Sequence, residues 1–103
     1  MEVGTKYDEG KPRLAEMIIS FKEPIIGLCK VFEFGANKYG LDNWKNLENG
    51  EARYLNAFLR HALSDKMIDA ESGLPHCYHM LFNAMAYAYF VGRRLEHEQK
   101  KKL

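Results

Sequence analysis

Residues 81–91, LFNAMAYAYFV, decide the fold, because they are apolar on nearly every face of the helix that they would form. A helix on the surface of a small monomer needs a wet side, and this segment has none. We predict that it is the middle of a long helix running from about Pro75 to Glu98. Either a second copy of the chain or a cofactor pocket would bury such a helix, and we favour a homo-oligomer (dimer or higher).

Two shorter helices are predicted before the long one. Pro24 suits the first turn of a helix, since its missing N–H would be unpaired there anyway, and apolar residues follow at helical spacing. Gly35 and Gly40 are expected to end this helix. A second helix is predicted over residues 51–66, where apolar residues again recur on one face.

The N-terminal part of the chain has no clear helical pattern. Residues 1–13 are polar and interrupted by glycine and proline, which predicts an extended arm, and residues 14–21 fit a short strand or an irregular segment. The sequence therefore predicts one all-α domain over residues 1–103. We expect a small helical bundle of about three main helices with an N-terminal arm (1–13), completed by oligomerisation.

The composition excludes several classes of partner. Fifteen Lys and Arg residues against fourteen Asp and Glu residues leave a net charge of +1, which argues against binding to duplex nucleic acid or to a membrane surface. The longest apolar stretch is about half of the ~20 residues that a membrane span requires. The two cysteines form no disulfide framework, and the polar N-terminus does not resemble a signal peptide. We therefore expect a cytoplasmic protein.

The first cluster of polar residues that could carry chemistry is KYDEGKPR at residues 6–13. Lysine and arginine supply the charge-assisted hydrogen bonds that phosphate groups need, so this segment could be an arm that closes over a phosphate-bearing ligand. It could also be a solvated tail. The ligand-binding interpretation rests on Lys6, Tyr7, Lys11 and Arg13.

The second cluster is FGANKYGLDNW at residues 34–44. Amides, a cation and two aromatic faces in one glycine-bounded turn are the groups that bind a purine nucleoside, through stacking, hydrogen bonds and charge. The alternative is a turn whose aromatic side chains pack on the core. The candidate ligand-binding residues here are Asn37, Lys38, Tyr39, Asn43 and Trp44.

The third cluster extends from Arg53 to His79. Arg53 and Arg60 fall on one helix face, and His61 would align with Asp65 and Asp69 if the same helix continued that far. Histidines and carboxylates can bind a divalent metal ion or transfer protons, although hydrogen-bonded or capping histidines are the commoner outcome. The candidates for ligand binding are Arg53, Arg60, His61 and His76, and the candidate metal ligands are Asp65, Asp69 and Glu71.

Four segments taken in order, KYDEGKPR, FGANKYGLDNW, RYLNAFLRH and DAESGLPH, resemble a small phage-encoded family of dATP/dGTP diphosphohydrolase-like proteins. That family is distantly similar to the all-α nucleotide pyrophosphatases of the MazG type, in which acidic pairs on neighbouring helices hold Mg²⁺ at the triphosphate. The resemblance implies an all-α nucleotide-binding domain in the cytoplasm of an infected host cell. The family pattern has an acidic residue where this chain has Lys66.

Two functions follow from this comparison. Because the acidic pairs are missing, we favour a phage protein that needs no cofactor and sequesters a host immune signalling nucleotide without cleaving it. A cyclic nucleotide or an ADP-ribose derivative would be such a ligand, and its capture would counteract anti-phage defence. The alternative is an enzyme, a Mg²⁺-dependent dATP/dGTP diphosphohydrolase that releases dNMP and pyrophosphate. No catalytic residue is assigned in either case.

Overall fold

The protein is an all-α molecule, as expected, in a computed structural model that describes residues 10–102. Within that range no strand forms, and a single isolated bridge joins Ile68 to Pro75. A short 3-10 turn spans Asn43–Asn46. The four helices are α1 (Leu14–Ser20), α2 (Lys22–Tyr39), α3 (Gly50–Ala62) and α4 (His76–Lys101).

Helices α3 and α4 form an antiparallel pair that contains most of the core. The start of α3 meets the C-terminal half of α4, where Glu51 forms an ion pair with Arg94 at 2.9 Å. The end of α3 meets the start of α4 where His61 contacts His76. Between these ends, Tyr54 stacks on Phe90 and Ala86 is only 3% exposed. Helix α2 packs against α4 and closes one side of the pair.

Several boundaries differ from the sequence-based expectation. Residues 14–20 form a helix, not a strand or an irregular segment. Helix α2 begins two residues before Pro24 and continues through Gly35 to Tyr39. Helix α3 ends at Ala62, four residues early, because the following loop folds back on itself and forms the bridge between Ile68 and Pro75.

The long helix α4 has an open side in a single chain. The apolar run at residues 81–91 predicts burial on all sides, and Asn83 and Ala86 are indeed buried. Leu81, however, is 42% exposed and Met85 is 54% exposed. The surrounding helices therefore cover only part of α4. None of the described helices is both long enough and apolar enough to cross a lipid bilayer.

Gly27 is required by a close contact between α2 and α4. A Cβ atom at this position would lie 2.5 Å from the ring of Tyr78. We expect Gly27→Ala to lower the free energy of unfolding by about 1–2 kcal/mol, because the overpacking penalty exceeds the gain in helix propensity. Urea denaturation measures the change.

The matched control for this prediction is Gly92→Ala. Gly92 also lies inside a helix, but apart from its chain neighbours and its own helix backbone nothing lies within 4 Å of the added Cβ. Without a clash, the higher helix propensity of alanine is expected to raise the free energy of unfolding by about 0.5–1 kcal/mol. Equal effects of the two substitutions would contradict the close contact at Gly27.

Candidate functional site

A cleft of about 360 Å³ opens between the second half of α2, the 3-10 turn, α3 and α4. Clefts that bind small molecules have volumes of roughly 300–1,000 Å³, so this cleft is large enough for a nucleotide that is partly exposed to solvent. Its walls combine apolar side chains such as Val31 and Phe82 with polar ones such as Arg53 and Asn83. This is the mixture expected of a ligand site rather than a packing gap.

The aromatic end of the cleft is built by the 3-10 turn. The ring of Trp44 packs edge-on against Tyr89 of α4, with their centroids 4.8 Å apart. The hydroxyl of Tyr54 donates a hydrogen bond to the backbone carbonyl oxygen of Trp44 at 2.8 Å. Both contacts fix the turn on the helix pair. They hold Trp44 and Asn43 at the edge of the cleft.

Lys38 lines the cleft at the end of α2, and its ammonium group forms a hydrogen-bonded ion pair with Glu71. This hydrogen bond is the main cause that raises the pKa of Lys38 to about 12. The ammonium group also lies 5.0 Å from the ring centroid of Tyr39. Lys38 therefore connects the end of α2 to the loop that precedes α4, and it keeps its positive charge across the physiological pH range.

A cluster of three histidines and one aspartate lies at the opposite end of the cleft from Trp44: His61, His79 and Asp69 line the cleft, and His76 contacts His61. The Nδ1 atoms of His61 and His76 are 2.7 Å apart. The rings of His61 and His79 stack with their centroids 4.4 Å apart. The Nε2 atom of His79 lies 3.7 Å from the Oδ2 atom of Asp69.

Burial and mutual repulsion oppose protonation of this cluster. Burial is the main cause that lowers the pKa of both His61 and His79, and the neighbouring imidazoles lower it further. Asp69 lies in the same environment, where burial acts to raise its pKa. Hydrogen bonds from Ser72 and the adjacent histidines outweigh burial, so the pKa of Asp69 lies below its ordinary value.

Asp69 reaches the cluster through a tight turn rather than along a helix. Its Oδ2 atom accepts hydrogen bonds from the backbone N–H of Ser72 at 2.9 Å and from the Ser72 hydroxyl at 2.8 Å. Gly73 completes the turn at φ +73°, a conformation that glycine adopts without strain. The helix face expected to join His61, Asp65 and Asp69 does not exist, because α3 ends before Asp65.

The structure brings together only part of the predicted ligand set. Six of these residues line the cleft: Lys38, Tyr39, Asn43, Trp44, Arg53 and His61.

The remaining predicted residues have other locations. His76 contacts His61. Lys11 and Arg13 lie beside the start of α1, and Asn37 lines a separate shallow groove. Arg60 is exposed on α3. Lys6 and Tyr7 fall outside the residues that the structure describes.

Three polar residues of the cleft were missing from the sequence-based set: Tyr54, His79 and Asn83. Asn83 is buried and donates a hydrogen bond to the backbone carbonyl oxygen of His79 at 2.9 Å. The spacing between His76 and His79 was a usable signal, since two histidines three apart lie on one helix face. Tyr54 and Asn83 carried no such signal, because neither forms a pair of like residues at helical spacing with another candidate.

The carboxylates expected to hold Mg²⁺ do not converge. Between residues 10 and 102, one group of three residues brings metal-type donor atoms within 4.8 Å of one another: His61, Asp69 and His76. Glu71 is instead engaged by Lys38. Mg²⁺ prefers oxygen ligands in a near-octahedral arrangement, and one carboxylate beside two imidazoles does not fit that preference.

The comparisons with known proteins place the chain in one family. Neither the curated proteins nor the solved structures include a match. A family model described as dATP/dGTP diphosphohydrolase, N-terminal, matches residues 1–100. The resemblance inferred from the four motifs is therefore confirmed, and its motif residues from α2 and α3 meet at the cleft described above. Because the match covers nearly the whole chain, this protein belongs to the dATP/dGTP diphosphohydrolase N-terminal domain family.

Proposed function

We propose that the cleft binds a purine deoxynucleoside triphosphate and that the protein hydrolyses it to the monophosphate and pyrophosphate. The observation that carries the proposal is the position of the family motifs. Residues from FGANKYGLDNW, on α2 and the 3-10 turn, and from RYLNAFLRH, on α3, line one cleft of about 360 Å³. The match to the dATP/dGTP diphosphohydrolase N-terminal family supports this class of substrate and this reaction.

The chemical character of the two ends suggests how the ligand lies. Trp44 and Tyr39 offer aromatic faces for a purine base, and Asn43 offers an amide for its polar edge. Arg53 lies along the remaining wall, where its guanidinium group would offset part of the negative charge of a triphosphate. In the reaction, water adds to the α-phosphorus, the bond from this phosphorus to the oxygen bridging to the β-phosphorus breaks, and pyrophosphate leaves.

Sequestration without cleavage is the second candidate, and the pairing of Lys38 with Glu71 favours it. That pairing engages an acidic residue that could otherwise hold Mg²⁺, so Asp69 is the one carboxylate of the expected set in the cluster. Tight binding requires charge, stacking and burial but no metal-activated water. A host signalling nucleotide, either cyclic or derived from ADP-ribose, is the ligand class for this candidate.

One experiment separates the two candidates. The purified protein is incubated with a panel of dATP, dGTP, cyclic dinucleotides and ADP-ribose derivatives, with and without divalent metal ions. The ligand is then chromatographed before and after heat denaturation of the protein. Recovery of dNMP and pyrophosphate supports hydrolysis, whereas unchanged ligand released only by heat supports sequestration. If no member of the panel is bound or cleaved, both candidates are wrong.

Arg53 provides a direct test of the cleft. We expect Arg53→Ala to weaken nucleotide binding by about 10–100-fold, the range for loss of a charge-assisted hydrogen bond to phosphate. The matched control is Arg60→Ala, which removes the same charge from the same helix at a position outside the cleft. Isothermal titration calorimetry with dGTP measures both variants, and equal losses would place the ligand elsewhere.

We also propose that the protein acts as a homo-oligomer in which α4 meets a second copy. Residues 80–92 contain no charged side chain, yet Leu81, Ala84, Met85 and Ala88 of this segment are exposed in a single chain. A solvated helix face normally carries charges.

The size of the single chain also supports an oligomer. Its accessible area is 8531 Å², whereas a compact monomer of this mass exposes about 6,000 Å². Its radius of gyration is 17.3 Å, against about 13 Å for a compact domain of this length. A second copy on the open side of α4 would cover part of this excess surface.

A further inference from the structure

The histidine–aspartate cluster has the composition and the placement of a transition-metal site. Its three potential ligands come from the last turn of α3 (His61), from the turn before α4 (Asp69) and from the first residue of α4 (His76). One donor atom from each lies within 4.8 Å of the other two. We propose that His61, Asp69 and His76 bind one divalent transition-metal ion of the Zn²⁺ and Co²⁺ class.

The distance between the two imidazoles supports this assignment. The Nδ1 atoms of His61 and His76 face each other at 2.7 Å, so one of them must donate a proton to the other. In tetrahedral zinc sites with bonds of about 2.0–2.1 Å, neighbouring ligand atoms lie about 3.3 Å apart. The distance between the two Nδ1 atoms therefore needs to increase by less than about 1 Å for an ion to take the place of the shared proton. That proton moves to the Nε2 atom of His61.

Neighbouring hydroxyl groups orient the ligands toward this position. The Ser64 hydroxyl lies 3.1 Å from the Nε2 atom of His76. If that nitrogen carries the ring proton and donates it to Ser64, the Nδ1 lone pair is directed at the site. Both hydrogen bonds from Ser72 fall on the Oδ2 atom of Asp69, and they orient the carboxylate beside the two imidazoles.

His79 holds the cluster together without being one of the three ligands. It stacks on His61 at 4.4 Å, and its Nε2 atom lies 2.7 Å from the hydroxyl of Ser72. Phe34 packs edge-on against the same ring. These contacts restrict the rotation of His61 and support the turn that carries Asp69, as groups around a metal centre do.

The donor set selects the class of ion. Two imidazole nitrogens and one carboxylate suit Zn²⁺, Co²⁺ and related ions, whereas Mg²⁺ takes oxygen ligands. Three protein ligands also leave at least one coordination position open. Because His61 and Asp69 both line the cleft, that open position would face a bound ligand. The inference stands on the geometry of the cluster and does not depend on which nucleotide the cleft binds.

The test is a titration of the metal-free protein with Co²⁺, followed by displacement with Zn²⁺. We expect a visible d–d absorption that saturates at one ion per chain and disappears when Zn²⁺ is added. His61→Ala and His76→Ala are each expected to weaken Co²⁺ binding by about 100-fold or more, and Ser64→Ala by about 10-fold. Circular dichroism checks that each variant retains its helices.

His97→Ala is the matched control, since His97 lies exposed on α4 far along the helix from the cluster. It is expected to bind Co²⁺ like the unmodified chain. His76→Gln, which keeps the size of the side chain, replaces His76→Ala if the latter fails to fold. Absence of Co²⁺ and Zn²⁺ binding by the unmodified chain at about 100 μM ion would overturn the proposal. An equal loss in His97→Ala would also overturn it, whatever the outcome of the nucleotide experiment.

Discussion

Replacing Tyr54 with alanine is expected to lower the free energy of unfolding by about 3–5 kcal/mol, as for other buried aromatic side chains. Tyr54 is 9% exposed, stacks on Phe90 with centroids 5.9 Å apart and meets Phe82 edge-on. Its hydroxyl also holds the 3-10 turn through the carbonyl oxygen of Trp44. Alanine removes all of these contacts and leaves a cavity between α3 and α4.

Thermal unfolding at a fixed protein concentration measures this effect, since each kcal/mol shifts Tm by roughly 4–8 °C in a domain of this size. Tyr54→Phe keeps the ring and loses only the hydrogen bond to Trp44, so we expect a loss of about 1 kcal/mol. Tyr39→Ala removes an exposed tyrosine and is expected to change stability by less than about 0.5 kcal/mol. Similar losses in Tyr54→Ala and Tyr39→Ala would contradict the role of Tyr54 in the core.

The parts of the fold that the sequence predicts best are those with long, regular patterns. Helix α4 was expected from about Pro75 to Glu98 and spans His76–Lys101, because its length leaves many apolar positions to define the period. Helix α1 has seven residues, which is fewer than two full turns, so periodicity could not separate a helix from a strand. The end of α3 depends on the later bridge between Ile68 and Pro75, and local patterns contain no information about that contact.

The candidate site was likewise predicted best where its residues lie close together in the sequence. The cleft residues from α2 and the 3-10 turn were found because they lie close together in one motif. The cluster at the other end depends on side chains from three segments, and its assembly requires α3 and α4 to be antiparallel. The expected alignment of His61 with Asp65 and Asp69 on one helix face was wrong, because α3 ends at Ala62. Asp69 reaches the cluster instead through its turn with Ser72. Arg53 and Arg60 were expected to share a site because they fall on one helix face, but of the two only Arg53 lines the cleft.

The open face of α4 leads to the prediction with the largest expected effect on assembly. If a second copy covers Leu81 and Met85, a glutamate at residue 85 would be buried at the interface without a partner. Burial of an unpaired carboxylate costs several kcal/mol, and in a symmetric dimer the substitution occurs on both chains. A total cost of about 4 kcal/mol or more corresponds to a Kd that rises about 1,000-fold or more.

We therefore expect the unmodified chain to be oligomeric at micromolar concentration and Met85→Glu to be a folded monomer. Light scattering coupled to size-exclusion chromatography measures the mass, and circular dichroism shows whether the helices remain. His97→Glu is the matched control, because it adds the same charge to the same helix at an exposed position outside the apolar face, and it should leave the mass unchanged. Met85 lies 54% exposed in the single chain, so its replacement removes little from the intrachain core. A monomeric unmodified chain, or an unchanged oligomer in Met85→Glu, would show that α4 does not meet a second copy through this face.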